Sequence, residues 1–498
     1  MRKSALLPLI TAIGIVCASS ALAKSVKIHG YVTAVQSSTE FQIDEYRITK
    51  DASITLEFEK SDDPEEKTTF RPEDIRVGTE MEIRGELDER SNQLTAKAIK
   101  VHLEDHQHVK RTALIEVRPN LKKIDAHWEG HVRADGQQLI IDKNTIVTIK
   151  LNNAQKKAAK ESAKTVKKKP APRDAEAIKD ETPAVALSAV DQIGANTFIN
   201  YSGTRQKDGS IALQKAEFTV SELTSAEARL WKSLSPKVKP SNLVTSRPGD
   251  LTIKGVGRYK LVPNEEVQKY VSDLGMSLIP ANQRDLAAGD PLKIPFHFFV
   301  VEKTEPNAMA LPNGIVVVNS GMLTVLENEA QLAAVLSHEI SHATEKHTYR
   351  QMQYHKNLKT ALLIAGAAGA AYGGNTGNAV ANLTRLTEAA IRNGYKRSLE
   401  NQADRVGMEY MVAAGYDPRE APRVWKVLSI KYGDHPTDFF WSSHDNNTTR
   451  RSYLMAELKN NYSDIDFENS KRNGARFTAT VSALNAAYVP KRKVKVKY

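Results

Sequence analysis

His338-Glu339-Ile340-Ser341-His342 is the stretch of this chain whose residue types and spacing could do chemistry. On a helix, two histidines four apart stand one turn above each other on a common face. At that spacing both imidazoles reach one Zn²⁺ ion at ~2.0–2.1 Å, and the glutamate beside the first can act on a water there as general base. Thirteen histidines in a chain of 498 residues would produce this five-residue pattern by chance roughly 0.02 times. The bland alternative is a pair of solvent-facing histidines on an amphipathic helix. The Ala- and Leu-rich surroundings speak against it, because they predict a buried helix.

A zinc site that keeps one position open needs a third protein ligand. His347 follows His342 by five residues without the intervening glycine of the extended metzincin motif, so it reads instead as a helix-end histidine near the negative end of the dipole. Glu400 and Asp404, in Glu400-Asn401-Gln402-Ala403-Asp404, share a helix face one turn apart, with Leu399, Ala403, Val406 and Tyr410 on the packed side. One carboxylate can bind zinc while the other orients a ligand imidazole. An ordinary pair of exposed acids is the alternative.

The elements that must position these residues are legible. Asn328 is an N-cap with Gln331 three residues on, starting the helix that carries Leu332, Leu336 and Ala343 on one side. Asn264-Glu265-Glu266 opens another helix, with Val267, Tyr270, Val271 and Leu274 on one face. Phe296 to Val301 and Ile315 to Val318 read as strands, the second following the Pro312-Asn313-Gly314 turn. Ala361 to Gly374 is fourteen small, mostly apolar residues. It is too short to span a bilayer and reads as packing beside the site or as a flap over it.

These markers resemble the gluzincin metallopeptidases of the CAAX-prenyl-endopeptidase-like (HtpX-like / beta-barrel assembly-enhancing protease) family. The resemblance covers about residues 255–458, with a later His444-to-Arg450 element at matching spacing. It implies that Glu400 is the third zinc ligand and Asp404 its supporting acid. It also implies an edge strand near Asn307–Val318 along which a substrate chain adds. The family's late element reads His-Pro, whereas this chain has His444-Asp445. His444 and Arg450 therefore stand as candidates for stabilising the oxyanion, with capping of the metal's open position an equal role for His444. The implied activity is zinc endopeptidase on polypeptide substrates, with cell-envelope quality control of misfolded or outer-membrane proteins as its setting. The rival class is a chaperone-like or cell-wall-binding scaffold whose metal site is latent.

The rest of the chain sets the frame. Its length predicts several domains. Arg2 and Lys3, the apolar run Leu6–Val16 and Ala21-Leu22-Ala23 read as a Sec-type signal peptide cleaved after Ala23, which places the chain in the periplasm or cell envelope. Cys17 is the only cysteine and falls within that leader, so disulfides are excluded from the remainder. A net charge of +11, of which the leader accounts for two, favours anionic surfaces or simple solubility. Nucleic acid is excluded as a partner by the lack of aromatics among the basic stretches. Nothing in the chain sets an oligomeric state.

Residues 24–222 read as β structure written twice, opening at Gly30-Tyr31-Val32 and again at Gly130-His131-Val132. The expected fold is therefore two small antiparallel β-barrel modules followed by an α+β zincin-type metallopeptidase domain. The boundaries are 24–118 for the first module and 119–222 for the second, with a Lys/Ala-rich insertion at 152–185. A linker at 223–254, the zinc domain at 255–465 and a basic tail at 466–498 complete the chain. Lys156 to Arg173 carries eight basic residues against Glu161 alone, a solvated loop for which peripheral membrane contact is the sharper alternative.

Overall fold

The computed structural model describes residues 24–485, apart from 151–192, 352–393, 434–446 and the short stretches 61–63, 105, 125–126, 195–196, 207, 221–222, 224, 236, 239–249, 254–255 and 464. The leader, the insertion, the Ala361–Gly374 segment and His444 lie outside the described residues.

Strands β1 (Lys24–Ser37), β2 (Glu40–Ile43), β3 (Tyr46–Lys50), β4 (Leu56–Phe58), β5 (Glu80–Asp88) and β6 (Gln93–His102) build the first module. The first half of β1 pairs antiparallel with β5 and its second half with β2, with a register break between Val32 and Ala34 where the strand bends. Parallel pairing of β3 with β6 closes the ring β1-β2-β3-β6-β5 into a five-strand barrel. Alternate residues such as Val32, Phe41, Ile48, Ile83 and Ile99 fill it.

The second module is a variation on this pattern. It comprises β7 (His108–Leu114), β8 (Asn120–Ile124), β9 (His127–Ala134), β10 (Gln137–Ile141), β11 (Ile146–Lys150), β12 (Thr197–Arg205) and β13 (Ile211–Val220). Its ladders run β7-β12-β13-β10-β9-β8, with β11 also on β13. Two similar closed barrels were expected; among the described residues only the first closes through continuous ladders. The reason lies in the first strand. The part that β1 plays as one bent strand is divided here between β7, which pairs with β12, and β9, which pairs with β10. The two meet only at the isolated bridge Ile115–Ala134. Residues 108–114, counted with the first module from sequence, thus belong to the second sheet.

The remaining strands and the longer helices are α1 (Ser225–Leu234), β14 (Lys237–Val238), β15 (Leu251–Ile253), β16 (Gly257–Tyr259), α2 (Glu265–Ser277), β17 (His297–Val301), β18 (Ala308–Ala310), β19 (Ile315–Asn319), α3 (Glu329–Thr344), α4 (Arg397–Ala413), α5 (Glu420–Tyr432), α6 (Asn447–Asn461) and α7 (Gly474–Asn485). The stretch read as a linker is not one throughout. Leu230 and Leu234 of α1, with Leu251 and Ile253 of β15, are buried against Val301, Ile315 and Val317. The tail likewise contributes α7, whose Phe477, Val481 and Leu484 sit in the main core. Apolar spacing inside both stretches was hidden by their overall polarity.

In the sheet β17-β19-β18 the central β19 pairs parallel with β17 and antiparallel with the short edge strand β18. Helix α2 packs on β17, and Gly275 permits this: a Cβ there would meet the Phe298 ring at 2.4 Å. The two modules press against the far side of α4 and α6. Tyr31 N–H donates to Ser452 Oγ at 2.9 Å, Arg451 Nε pairs with Asp44 at 2.6 Å, and Arg405 pairs with both Asp135 oxygens at 2.7 and 2.8 Å.

Candidate metal centre

Helix α3 begins where the sequence places it. The Asn328 side chain accepts from Gln331 N–H at 2.9 Å, while the Gln331 carboxamide oxygen accepts from Glu327 N–H, one residue before the cap. Every residue of α3 except Ala334 is buried, including His338, Glu339 and His342. Its buried polar groups find partners on neighbouring elements, as where the Tyr270 hydroxyl donates to Glu329 at 2.7 Å and Thr344 Oγ1 meets the Tyr410 hydroxyl at 2.9 Å.

Helix α4 crosses α3 closely because of Gly407. A Cβ at that position would come within 3.0–3.2 Å of the His338 backbone. A glycine inside a helix costs roughly 1 kcal/mol of propensity, and here the missing side chain lets α4 bring Glu400 and Asp404 up to the histidines.

His338, His342 and Glu400 present ligand atoms that all lie within 4.8 Å of one another, and all three side chains are buried. The two Nε2 atoms are 3.0 Å apart. Two nitrogens bound tetrahedrally to zinc at ~2.0–2.1 Å would be about 3.3 Å apart, so the pair needs only a small opening to take the ion. His338 Nε2 is 3.3 Å from Glu400 Oε2. The residues fit the metal.

Around this trio each ligand is held from behind. His338 Nδ1 is 3.0 Å from Asp404 Oδ1, the carboxylate–histidine arrangement that fixes Nε2 toward a metal. Arg450 is 1 % exposed and clamps Asp404 with two bonds, Nε to Oδ2 at 2.6 Å and Nη2 to Oδ1 at 2.5 Å, while its Nη1 donates to Glu400 Oε2 at 3.1 Å. Its guanidinium also covers Trp425 at 4.2 Å. From sequence Arg450 was a candidate for the oxyanion; its described partners are the carboxylates of α4.

His347 departs from its sequence reading in another way. Helix α3 ends at Thr344, Lys346 takes a positive φ of 54°, and the chain folds His347 back into the interior at 0 % exposure. Burial, with Arg350 nearby, holds its pKa well below the usual histidine value, so it is neutral. Its Nδ1 is 2.8 Å from His342 Nδ1 and its Nε2 is 3.2 Å from Gln402 Oε1. For His342 to offer Nε2 to a metal, its Nδ1–H must donate to His347, and His347 Nε2–H then donates to Gln402. His347 is not a ligand but a positioning residue. Tyr395 is another that sequence missed, its ring stacked on His342 at 4.3 Å. Neither carries a motif signal.

The electrostatics favour a cation between the carboxylates. Burial works against charge on His338, yet hydrogen bonds that its ring donates to Asp404 and Glu400 override it and raise the imidazole to about 9. Glu339 is pushed up to about 7, chiefly by burial, with Glu400 adding to the rise and the Ala310 backbone N–H of β18 opposing it. That contact places the edge strand against the candidate base.

Comparison with known proteins agrees with this geometry. Residues 268–458 match peptidase family M48. The chain is 30% identical over 198 residues to the beta-barrel assembly-enhancing protease of Escherichia coli (strain K12), covering 38% of this chain and 39% of that protein. It is 32% identical over 164 residues to the mitochondrial metalloendopeptidase OMA1 of Arabidopsis thaliana, covering 33% and 32%. The chain thus spans about two fifths or less of these relatives, and the family match lies in the metal-centre part of the fold.

Proposed function

The chain carries a domain of peptidase family M48, a gluzincin, and from that premise we propose that it is a zinc-dependent endopeptidase. The observation that carries the proposal is the convergence of His338, His342 and Glu400 with Glu339 beside them, in a pocket whose charge calls for a cation. When bound, zinc supplies Lewis-acid activation of the scissile carbonyl and of water. His338, His342 and Glu400 hold it. Asp404, fixed by Arg450, orients His338, and His347 orients His342. Glu339 takes the proton of the attacking water and returns it to the leaving nitrogen; a carboxylate poised near neutrality suits both transfers.

Substrate polypeptide would lie along β18, whose outer edge has no strand partner among the described residues and whose Ala310 N–H meets Glu339. His444 lies outside the described residues, between α5 and α6 in sequence, and its spacing to Arg450 keeps it as the group that stabilises the oxyanion or caps the open metal position. The setting we propose is the cell envelope, with misfolded or outer-membrane proteins as substrates. Support comes from the leader-like first 23 residues and from the E. coli relative's name. Among the described residues no helix is long and apolar enough to cross a membrane.

Glu339→Gln keeps the ligands and removes the base. The variant is expected to bind one zinc at His338, His342 and Glu400 as the wild type does while losing cleavage of casein, and chelator should abolish wild-type cleavage. Undiminished cleavage by the variant defeats the assignment, and zinc bound by a wild type that never cleaves favours the scaffold reading.

A further inference from the structure

A second group of metal-type donors lies at the seam between the first barrel and the helices of the zinc domain. Glu80 of β5 pairs across the sheet with His102 of β6 and lies diagonal to His29 of β1. Ligand atoms of the three side chains lie within 4.8 Å of one another. His29 Nε2 is 2.7 Å from Glu80 Oε1, and the His29 and His102 rings are 5.3 Å apart at 64°.

The rings are turned inward. Thr449 Oγ1 is 3.4 Å from His29 Nδ1, and Glu59 Oε1 is 3.8 Å from His102 Nδ1, so each histidine has its Nδ1 toward an outer oxygen. Outer partners of this kind are what orient a metal-binding imidazole. His102 Nε2 is buried and has no hydrogen-bond partner among the described residues. A simpler account, in which Glu80 serves its ion pair with Arg397 and its bond to the Tyr31 hydroxyl, explains Glu80 and leaves His102 unexplained. A shared ion satisfies all three.

We propose that His29, Glu80 and His102 form a second divalent transition-metal site, separate from His338, His342 and Glu400. Two imidazoles and one carboxylate suit Zn²⁺, Ni²⁺ or Cu²⁺ and disfavour Mg²⁺ and Ca²⁺, which take oxygen ligands. Access is through a cavity of 580 Å³ that Glu80 and His102 line together with Glu59 and Arg397. Arg397 is at its rim, with 43% of its side chain exposed, and can withdraw as the ion enters. The site lies beside two helices that serve the metal centre, since Arg397 begins α4 one turn before Glu400 and Thr449 precedes Arg450 on α6.

The test is zinc stoichiometry on the full chain, stripped, reloaded with Zn²⁺ alone, passed over chelating resin and assayed for metal. Wild type should retain two equivalents, the His338→Ala/His342→Ala variant one, and the His29→Ala/His102→Ala variant one. The single ion kept by the last variant also shows that it has folded. One equivalent in wild type with none in His338→Ala/His342→Ala overturns the proposal, as does a second equivalent that survives His29→Ala/His102→Ala. Co²⁺ gives an independent reading: a visible d–d band in His338→Ala/His342→Ala should vanish on adding His102→Ala, and its persistence counts against the site.

Discussion

In an Arg450→Met variant the two acids of α4 lose their common counter-charge. Arg450 is 1 % exposed and makes three bonds of 2.5–3.1 Å to Asp404 and Glu400. At such separations, with an effective dielectric near 20, each charge pair is worth about 4 kcal/mol before desolvation. Methionine fills much of the volume but leaves two buried carboxylates with the His338 imidazole alone between them, and breaking a buried pair in this way costs about 3–5 kcal/mol. The metal-free protein should show the full loss in urea denaturation. Zinc offsets the Glu400 part only, so the loaded protein should lose less, while its zinc affinity falls about 10–100-fold because Asp404 no longer holds His338 firmly. The companion variant Asp404→Asn/Arg450→Met removes the unpaired charge and keeps an acceptor for His338. It should be more stable than Arg450→Met alone. A single variant within about 1 kcal/mol of wild type, or a double variant no better than the single, refutes the reasoning.

Other consequences follow from the same structure. Burial raises the Asp135 carboxyl, but Arg405 and Arg111 override it and hold it down to about 2. A depressed carboxylate stabilises the fold above its unfolded value and loses that contribution as pH falls from about 4 toward 2, a window worth roughly 2 kcal/mol. Asp135→Asn should therefore cost about 3 kcal/mol at neutral pH, with the gap to wild type narrowing across that acid window in denaturation curves; a constant gap contradicts the ion pair. Gly407→Val should push α4 from His338 and weaken zinc binding at least about tenfold in a chelator competition, and unchanged affinity denies the close approach. His347→Leu should lower zinc affinity about 10–100-fold with native circular dichroism, because His342 loses the acceptor that sets its tautomer; wild-type affinity would show that the contact does not matter.

Local periodicity carried much of the fold. Asn328 and Asn264 cap the helices that their side chains announce, because a cap is a contact between residues three apart. The pairing of His338 with His342 is legible for the same reason. Glu400 was named only through a resemblance, since sixty residues separate it from the motif and no local rule selects it over Asp404. What escaped entirely depends on long-range packing. His347 needed the turn at Lys346 to reach the interior, and Tyr395 reaches His342 from the segment just before α4. The second module did not repeat the first as expected because strand division between β7 and β9 preserves the alternation that a sequence displays and changes only the partners.

The β modules also make buried polar contacts with the helices of the metal centre. Asp404 and Arg405 are neighbours on α4, and a helix turns consecutive side chains about 100° apart. Asp404 therefore meets His338 and Arg450 on one side, while Arg405 meets Asp135 of the second module on the other. The same alternation recurs on α6, where Arg450 faces the metal centre and Arg451 pairs with Asp44 of the first. At the end of α3, Glu345 accepts from Leu114 N–H at 3.0 Å, just past β7's penultimate residue and two residues before His347. Each helix that supplies a group to the centre is thus gripped from behind by a buried polar contact with a module. Burial of this kind is costly unless paired, so the modules and the metal-bearing helices are each incompletely satisfied alone. Module position and metal-centre geometry are consequently coupled through α4 and α6, because anything that shifts a module must either move those helices or break a buried ion pair.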